Sequence, residues 1–275
     1  MYLLNGESRQ CIDVADRGFQ YGDGLFETIE VSNGKPLFLE RHLARLSNGC
    51  RRLLIPVPDL ALLTQEALQV SAASERAVLK LIVTRGCGGR GYRQPPRILP
   101  TRLFSLHPFP DYPEHFQAEG ITVRFCRLRL ANSPALAGIK HMNRLEQVLA
   151  RAEWWDDGIQ EGLMLDSNEH VVEGTMTNLF MVKDGVLYTP IVTECGVAGI
   201  VREMVMEFAQ CNNITLIETQ LDKDTLLRAD EVFVTNSVIG IWPVMQIEQH
   251  GFGVGPLTRS FQAYFNAARA METGQ

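Results

Sequence analysis

Apolar residues in this chain switch repeatedly between a strand period of two and a helix period of roughly 3.6, and only a mixed α+β architecture accommodates that switching. In the first third, residues 25–31 and 36–39 flank Asn33-Gly34, a pair suited to the tight turn of a β-hairpin. Leu39, Leu43, Leu46, Cys50 and Leu53 fall at steps of four and three, which predicts one face of a helix. Arg41, Arg45 and Arg52 lie on its other faces. A second helix is predicted over residues 59–73, and alternating strands over 77–84 and 99–106.

The second half alternates in the same way. Strands are predicted over residues 121–128, 162–165, 170–172, 214–219, 231–235 and 241–245. Residues 179–182 and 186–188 make a hairpin around Lys183-Asp184-Gly185. Helices are predicted over 143–155, 199–210, 222–228 and 257–270. The pair Trp154-Trp155, at the end of the first of these, is predicted to pack in the core. No internal repeat interrupts this order. Residues 108–119 carry three prolines among mixed polar residues and read as a linker. The expected organisation is a smaller N-terminal α/β domain, residues 1–115, and a larger C-terminal domain, residues 116–275.

At 275 residues, one large or two medium domains are expected. Apolar residues make up 45% of the chain and charged residues 21%, the balance of a soluble globular protein. The net charge is −6 and no basic run is present, which argues against nucleic acid or an anionic membrane as partner. No stretch approaches the roughly 18 apolar residues of a membrane span. The six cysteines are scattered without a CxxC, so a zinc cluster or disulfide framework is not expected. The first residues lack the basic and apolar regions of a signal peptide. Both features point to the cytoplasm. The six histidines show no metal-ligand spacing, and no metal is expected. Arginines outnumber lysines 21 to five; an acidic protein rich in arginine suits the handling of small anions by bidentate forks.

Among the five lysines, Lys140 stands apart. Lys35 and Lys183 lie in turns, Lys223 is flanked by Asp222 and Asp224, and Lys80 can point to water from an alternating strand. Lys140 follows Gly138-Ile139 and precedes a helix, with no carboxylate beside it. A lysine amine becomes nucleophilic when burial or a nearby cation lowers its pKa, so Lys140 is a candidate Schiff-base former. The alternative is a lysine whose stem packs while its head reaches solvent.

An aldehyde cofactor such as pyridoxal phosphate would need more. Its ring nitrogen must be held protonated by a carboxylate, and its phosphate needs a cradle. Glu173, read as ending a strand before a glycine-containing turn, is the carboxylate candidate; alone it reads equally as a surface acid. Gly196-Val197-Ala198-Gly199 precedes a predicted helix, so the N–H groups of Ile200 and Val201 could face an anion. An ordinary helix entry would look the same. Ser237, after Asn236 at a strand end, could add a hydroxyl, and Arg45 a guanidinium. Residues 85–97 form a loop rich in glycine and arginine. Its glycines are not a dinucleotide fingerprint, because Tyr92-Arg93-Gln94-Pro95-Pro96 follows them instead of a helix.

Taken in order, these segments resemble the aminodeoxychorismate lyase family of fold-type IV pyridoxal phosphate enzymes. Gly138-Ile139-Lys140-His141-Met142-Asn143-Arg144-Leu145-Glu146-Gln147-Val148 is similar to the lysine segment of that family. The pattern continues with Glu173, Asn178-Leu179-Phe180, Gly199-Ile200 and Asn236-Ser237 before Trp242-Pro243-Val244. The segment from Tyr21 to Thr28 also matches, and the Arg85–Tyr92 loop resembles lyases more than aminotransferases. The resemblance covers nearly the whole chain.

The resemblance implies a two-domain α+β fold with mixed sheets and flanking helices, and a homodimer. It implies that Lys140 binds the cofactor aldehyde and moves protons, and that Glu173 pairs with the pyridine nitrogen. Arg45, Ile200, Val201 and Ser237 would hold the phosphate, with Asn178 among the cofactor contacts. Thr28, Arg90, Tyr92 and Arg144 would meet a substrate carrying two carboxylates. The implied reaction converts 4-amino-4-deoxychorismate to 4-aminobenzoate and pyruvate in folate biosynthesis. Arg144 stands where branched-chain aminotransferases carry a tyrosine, which sets that alternative back. D-amino acid or branched-chain transamination with the same cofactor is the second reading, and a non-catalytic binding protein the third.

Overall fold

The structure, a computed structural model, describes residues 1–274. The chain divides into two compact units. The first comprises Met1–Pro110, Ile139–Asn143 and the chain from Arg269 on; the second comprises Asp111–Gly138 and Arg144–Ala268.

The first unit contains β1 (Tyr2–Leu4), α1 (Arg17–Tyr21), β2 (Gly24–Ser32), β3 (Lys35–Pro36), α2 (Leu39–Arg52), α3 (Leu60–Ser71), β4 (Arg76–Thr84) and β5 (Thr101–Pro108). The strands form an antiparallel sheet in the order β1-β5-β4-β2-β3. The alternation read from the sequence is the alternation of its faces. Ile29, Leu79, Leu81 and Phe104 from the strands pack with Leu43, Leu46 and Leu63 from α2 and α3. Asp59 lies outside α3 as its cap, accepting from Ala61 N at 2.8 Å. Helix α1 was not expected. Asp16 caps it by accepting from Gly18 N at 2.8 Å, and Gly22 ends it in the left-handed region at φ +66°.

Asp16 also accepts from the hydroxyls of Thr84 (2.9 Å) and Thr101 (2.7 Å). Beside it, Asp23 is gripped by Arg17 (2.9 Å) and by both arms of Arg85 (2.7 and 2.9 Å). Arg85 ties this pair to the carbonyls of Leu53 and Leu54, each at 2.8 Å. Arg17 reaches Gly91 O at 2.9 Å. Two of the arginines behind the excess over lysine are therefore buried structural clamps. Arg85 holds the base of the glycine-rich loop and Arg17 its tip at Gly91, on either side of which Arg90 and Tyr92 are exposed.

The second unit contains α4 (His115–Ala118), β6 (Ile121–Leu130), α5 (Leu145–Arg151), β7 (Glu161–Asp166), β8 (Val171–Gly174), β9 (Asn178–Lys183), β10 (Val186–Pro190), α6 (Ile200–Cys211), β11 (Leu216–Thr219), α7 (Lys223–Leu227), β12 (Glu231–Asn236), β13 (Gly240–Ile247), β14 (His250–Gly251) and most of α8 (Pro256–Thr273). The sheet runs β11-β10-β9-β12-β13-β6-β7-β8, and β8 also pairs with β9, so six of its strands close on themselves. The pairs β10–β11, β13–β6 and β6–β7 are parallel, and the others antiparallel. The α+β class with mixed sheets is the one expected. Closure leaves an apolar interior that includes Leu163, Leu165, Leu179, Val232 and Val244.

Three local expectations are corrected. The helix expected over residues 143–155 is only α5, with Arg144 as its non-helical cap at φ −121°. Beyond it, Arg151 Nη1 bonds Trp154 O (3.0 Å) and the Trp154 indole bonds Ile159 O (3.0 Å), which ties that stretch into a loop. Trp154 is buried, but Trp155 is 91% exposed and does not pack in the core. Glu173 does not end its strand: Met164 pairs with Glu173 and Leu163 with Gly174, so β8 runs one residue further and keeps the carboxylate in the sheet.

Candidate active site

In the first unit, residues 139–143 lie against the start of β2. Phe26 N donates to Lys140 O at 3.1 Å, and Met142 N donates to Gly24 O at 2.9 Å. This backbone pairing sets where the Lys140 side chain begins. Its Nζ stands 4.6 Å from the centroid of the Phe26 ring, on the scale of a cation–π contact. Lys80 Nζ is 5.3 Å from the same ring, so Lys80 does not simply extend into water from β4. Thr28 is the next residue outward on the half-buried face of β2.

Glu27, between Phe26 and Thr28, is buried. It accepts from Arg45 Nε (2.9 Å), from Arg45 Nη2 (2.5 Å) and from His42 Nδ1 (2.6 Å). Burial pushes the Glu27 carboxyl up, but the Arg45 charge and the His42 hydrogen bond outweigh it and bring it to about 2. Burial holds the His42 ring below its usual value, against the pull of Glu27; the charges of Arg45 and Lys140 add to the lowering. An ionised Glu27 can only accept, so a neutral His42 donates from Nδ1 and leaves Nε2 as a buried acceptor without a hydrogen-bond partner. Neither residue was singled out from sequence. The signal was there: an acid in the buried row Leu25, Glu27, Ile29, Val31, and His42 and Arg45 three apart on α2.

In the second unit, closure of β8 on β9 places Glu173 opposite Asn178. Glu173 is buried, and its Oε2 accepts from Val197 N at 2.8 Å. Asn178 Nδ2 donates to Val197 O, also at 2.8 Å. The loop 196–199 is therefore pinned from both sides. It is also joined to Gly138, whose N–H donates to Gly196 O (2.9 Å) and whose carbonyl accepts from Ala198 N (3.1 Å). Buried Glu161 fixes the turn between β8 and β9, accepting from Thr175 N (3.0 Å), Thr175 Oγ1 (2.6 Å), Met176 N (3.1 Å) and Thr177 Oγ1 (2.9 Å). Asn236 Nδ2 donates to Met176 O at 3.2 Å, and its Oδ1 accepts from Val238 N and Ile239 N, which folds the turn that carries Ser237. Burial lowers the Arg144 guanidinium from its ordinary value, and the charges of Glu173 and Glu146 oppose that.

Helix α6 begins at Ile200 behind Gly199, which has no side chain to cap it. The first N–H groups of a helix have no partner within it and carry its positive end. A Cβ on Gly199 would sit 2.0 Å from Asn178 Oδ1, so any other residue here must displace the Asn178 side chain. Gly199→Ala is expected to destabilise the protein by about 1–3 kcal/mol through that clash. Differential scanning calorimetry checks it, and an unchanged Tm would show that Asn178 gives way freely.

The sequence candidates thus fall into two groups. Lys140, Arg45 and Thr28 lie in the first unit, as do the exposed Arg90 and Tyr92, the latter 5.7 Å from the Tyr21 ring. Glu173, Asn178, Ile200, Val201, Ser237 and Arg144 lie in the second. Among the described residues no cluster of His, Cys, Asp or Glu could hold a metal ion. No helix among them is long and apolar enough to cross a membrane.

Residues 24–247 match the model of the family amino-transferase class IV. The chain is 37% identical over 270 residues to aminodeoxychorismate lyase of Vibrio harveyi, covering 97% of this chain and 100% of that one. It is 29% identical over 291 residues to D-alanine aminotransferase of Bacillus licheniformis, covering 99% and 98%. The crystal structure of 4-amino-4-deoxychorismate lyase from Pseudomonas aeruginosa superimposes with a TM-score of 0.94 at 50% identity, covering 97% of this chain and 98% of that one.

Proposed function

The chain belongs to the class IV aminotransferase family, and from that premise we propose that it is a pyridoxal phosphate-dependent lyase that converts 4-amino-4-deoxychorismate to 4-aminobenzoate and pyruvate. The observation that carries the reading is half-identity, over nearly the full length of both chains, to a lyase of that name. The residues suit the cofactor. Lys140 supplies the amine that an aldehyde would require, beside the Phe26 ring. Glu173 is a buried carboxylate, and the cradle before α6 has no room for a Cβ. Arg45 is held in a fixed plane by Glu27.

Pyridoxal phosphate supplies a sink for the electron pair left when the substrate carbon bearing nitrogen loses its proton. The protein's part is binding, orientation and proton handling. Lys140 would hold the cofactor aldehyde, and its Nζ would take the proton from the substrate C4. The C3–O bond then breaks, pyruvate leaves in its enol form, and the ring becomes aromatic. Glu173 would keep a proton at the ring nitrogen. Arg45, the N–H groups of Ile200 and Val201, and the Ser237 hydroxyl would hold the phosphate, and Asn178 fixes the loop 196–199. Thr28, Arg90, Tyr92 and Arg144 orient the two substrate carboxylates.

We also propose a homodimer in the cytoplasm. Leu145, Val148 and Leu149 on α5 are exposed together with Trp155, an apolar surface suited to a second copy. The six cysteines are unpaired thiols, three of them buried, which suits a reducing compartment. The aminotransferase relatives favour transamination as a second reading. Supplying purified protein with aminodeoxychorismate, and separately with an amino acid and 2-oxoglutarate, decides between them. The lyase should form 4-aminobenzoate and pyruvate in equal amounts. Keto-acid turnover without 4-aminobenzoate would overturn the proposal, and a colourless protein inactive in both would support a binding role.

A further inference from the structure

We propose that Glu27 and His42 are positioning residues that aim Arg45 at an anion, an inference that rests on the reading of Arg45 as a phosphate-holding residue. Glu27 interrupts a row of buried apolar side chains on β2, between Leu25 and Ile29. A buried carboxylate is costly, and an apolar residue would serve packing better there, so its presence calls for a role beyond the core. Its two oxygens take Arg45 Nε and Nη2, one edge of the guanidinium, in a fork. A fork fixes the plane of the guanidinium and prevents rotation about its last bonds. The direction of the opposite edge is thereby set before any ligand arrives. His42 completes the device. Its Nδ1–H bonds the same Oε2 that Arg45 Nη2 uses and holds the carboxylate rotamer.

His42 and Arg45 come from one face of α2, and Glu27 from the strand that α2 packs against. The unit is rigid because helix, strand and ion pair share one core. A loosely held arginine would bind phosphate too, but would lose side-chain freedom on doing so.

The test compares dissociation constants for pyridoxal phosphate and for pyridoxal, which lacks the phosphate, on cofactor-stripped full-length protein. Absorbance titration reads both. Glu27→Gln keeps the shape but has one accepting oxygen where the carboxylate has two, and no charge, so the fork is lost. It should reduce the preference for pyridoxal phosphate over pyridoxal about tenfold while leaving pyridoxal affinity within about twofold. His42→Ala should reduce the preference in the same direction, and His42→Asn, which retains a donor near the Nδ1 position, should restore most of it. If Glu27→Gln fails to fold, the two His42 variants carry the test alone. An unchanged preference in the variants, or equal losses for both ligands, would overturn the positioning role. Arg45→Ala serves as the separate control. If it leaves the preference untouched while the wild type still favours pyridoxal phosphate, the phosphate role of Arg45 fails and this inference with it. If the wild type shows no preference at all, the cofactor reading itself fails.

Discussion

Lys140→Ala is expected to lower turnover by roughly 10³-fold or more, a loss at the upper end of what a positioned acid–base group contributes. The purified variant should be colourless, and borohydride should fix no cofactor to it. The loss should be this large because three of the other four lysines are held elsewhere. Lys183 is paired with Asp230 at 2.9 Å, Lys223 stands 3.8 Å from Glu169, and Lys35 reaches Thr273 O at 3.4 Å. Lys80, on β4, is the one whose amine also approaches the Phe26 ring, at 5.3 Å, so the added change Lys80→Ala measures any rescue by it. The fold should tolerate the change. What holds residues 139–143 to β2 is the backbone pairing of Lys140 O with Phe26 N and of Met142 N with Gly24 O, which alanine keeps. The Tm should therefore stay within about 3 °C of wild type. Lys140→Arg separates charge from chemistry: it retains a cation on the Phe26 ring but no nucleophile at neutral pH. Wild-type rates in either variant would remove Lys140 from the reaction.

The fold around the candidate site was legible in sequence to the extent that it depends on local pattern. The β2 and β4 strands and the apolar face of α2 follow from alternation and from steps of three and four, and the structure builds its first sheet and core from them. The glycine run before α6 could be read as a cradle, but not that Asn178 Oδ1 occupies the space of a Gly199 side chain. Residues 139–143 join the first unit through hydrogen bonds to β2, more than 110 positions away in sequence, and no local period carries that information. Glu27 and His42 were missed for the same reason. Each is ambiguous alone, and only the meeting of β2 with α2 turns a misplaced acid and a lone histidine into one buried unit. The helix over 143–155 was overextended because the chain after Arg151 is tied into a loop through Trp154; within α5 the apolar face of Leu145, Val148 and Leu149 is exposed rather than packed. Apolar periodicity marks a face that wants covering, and in this helix it does not say by what.

Glu173→Gln is expected to keep the cofactor and slow turnover roughly 10²-fold, the scale on which loss of one preorganised electrostatic partner is felt. Glutamine is the informative choice because of what surrounds the carboxylate. Glu173 Oε2 accepts from Val197 N at 2.8 Å, and an amide oxygen can accept the same bond. The pinned loop 196–199, and with it the start of α6, should therefore survive, and the variant should bind pyridoxal phosphate nearly as tightly as wild type. What glutamine lacks is the negative charge. A ring nitrogen facing an amide has no anion to hold its proton, so the substrate carbon would lose its proton more slowly even with Lys140 in place. Glu173→Ala should differ in kind. It removes the acceptor for Val197 N from a buried position, leaving that donor unsatisfied at a cost of about 1–3 kcal/mol, and should weaken cofactor binding as well as rate. The two variants thus separate charge from scaffold. Equal rates in Glu173→Gln and wild type, measured as 4-aminobenzoate formed at saturating substrate, would take Glu173 out of the reaction and reduce it to the residue that pins Val197.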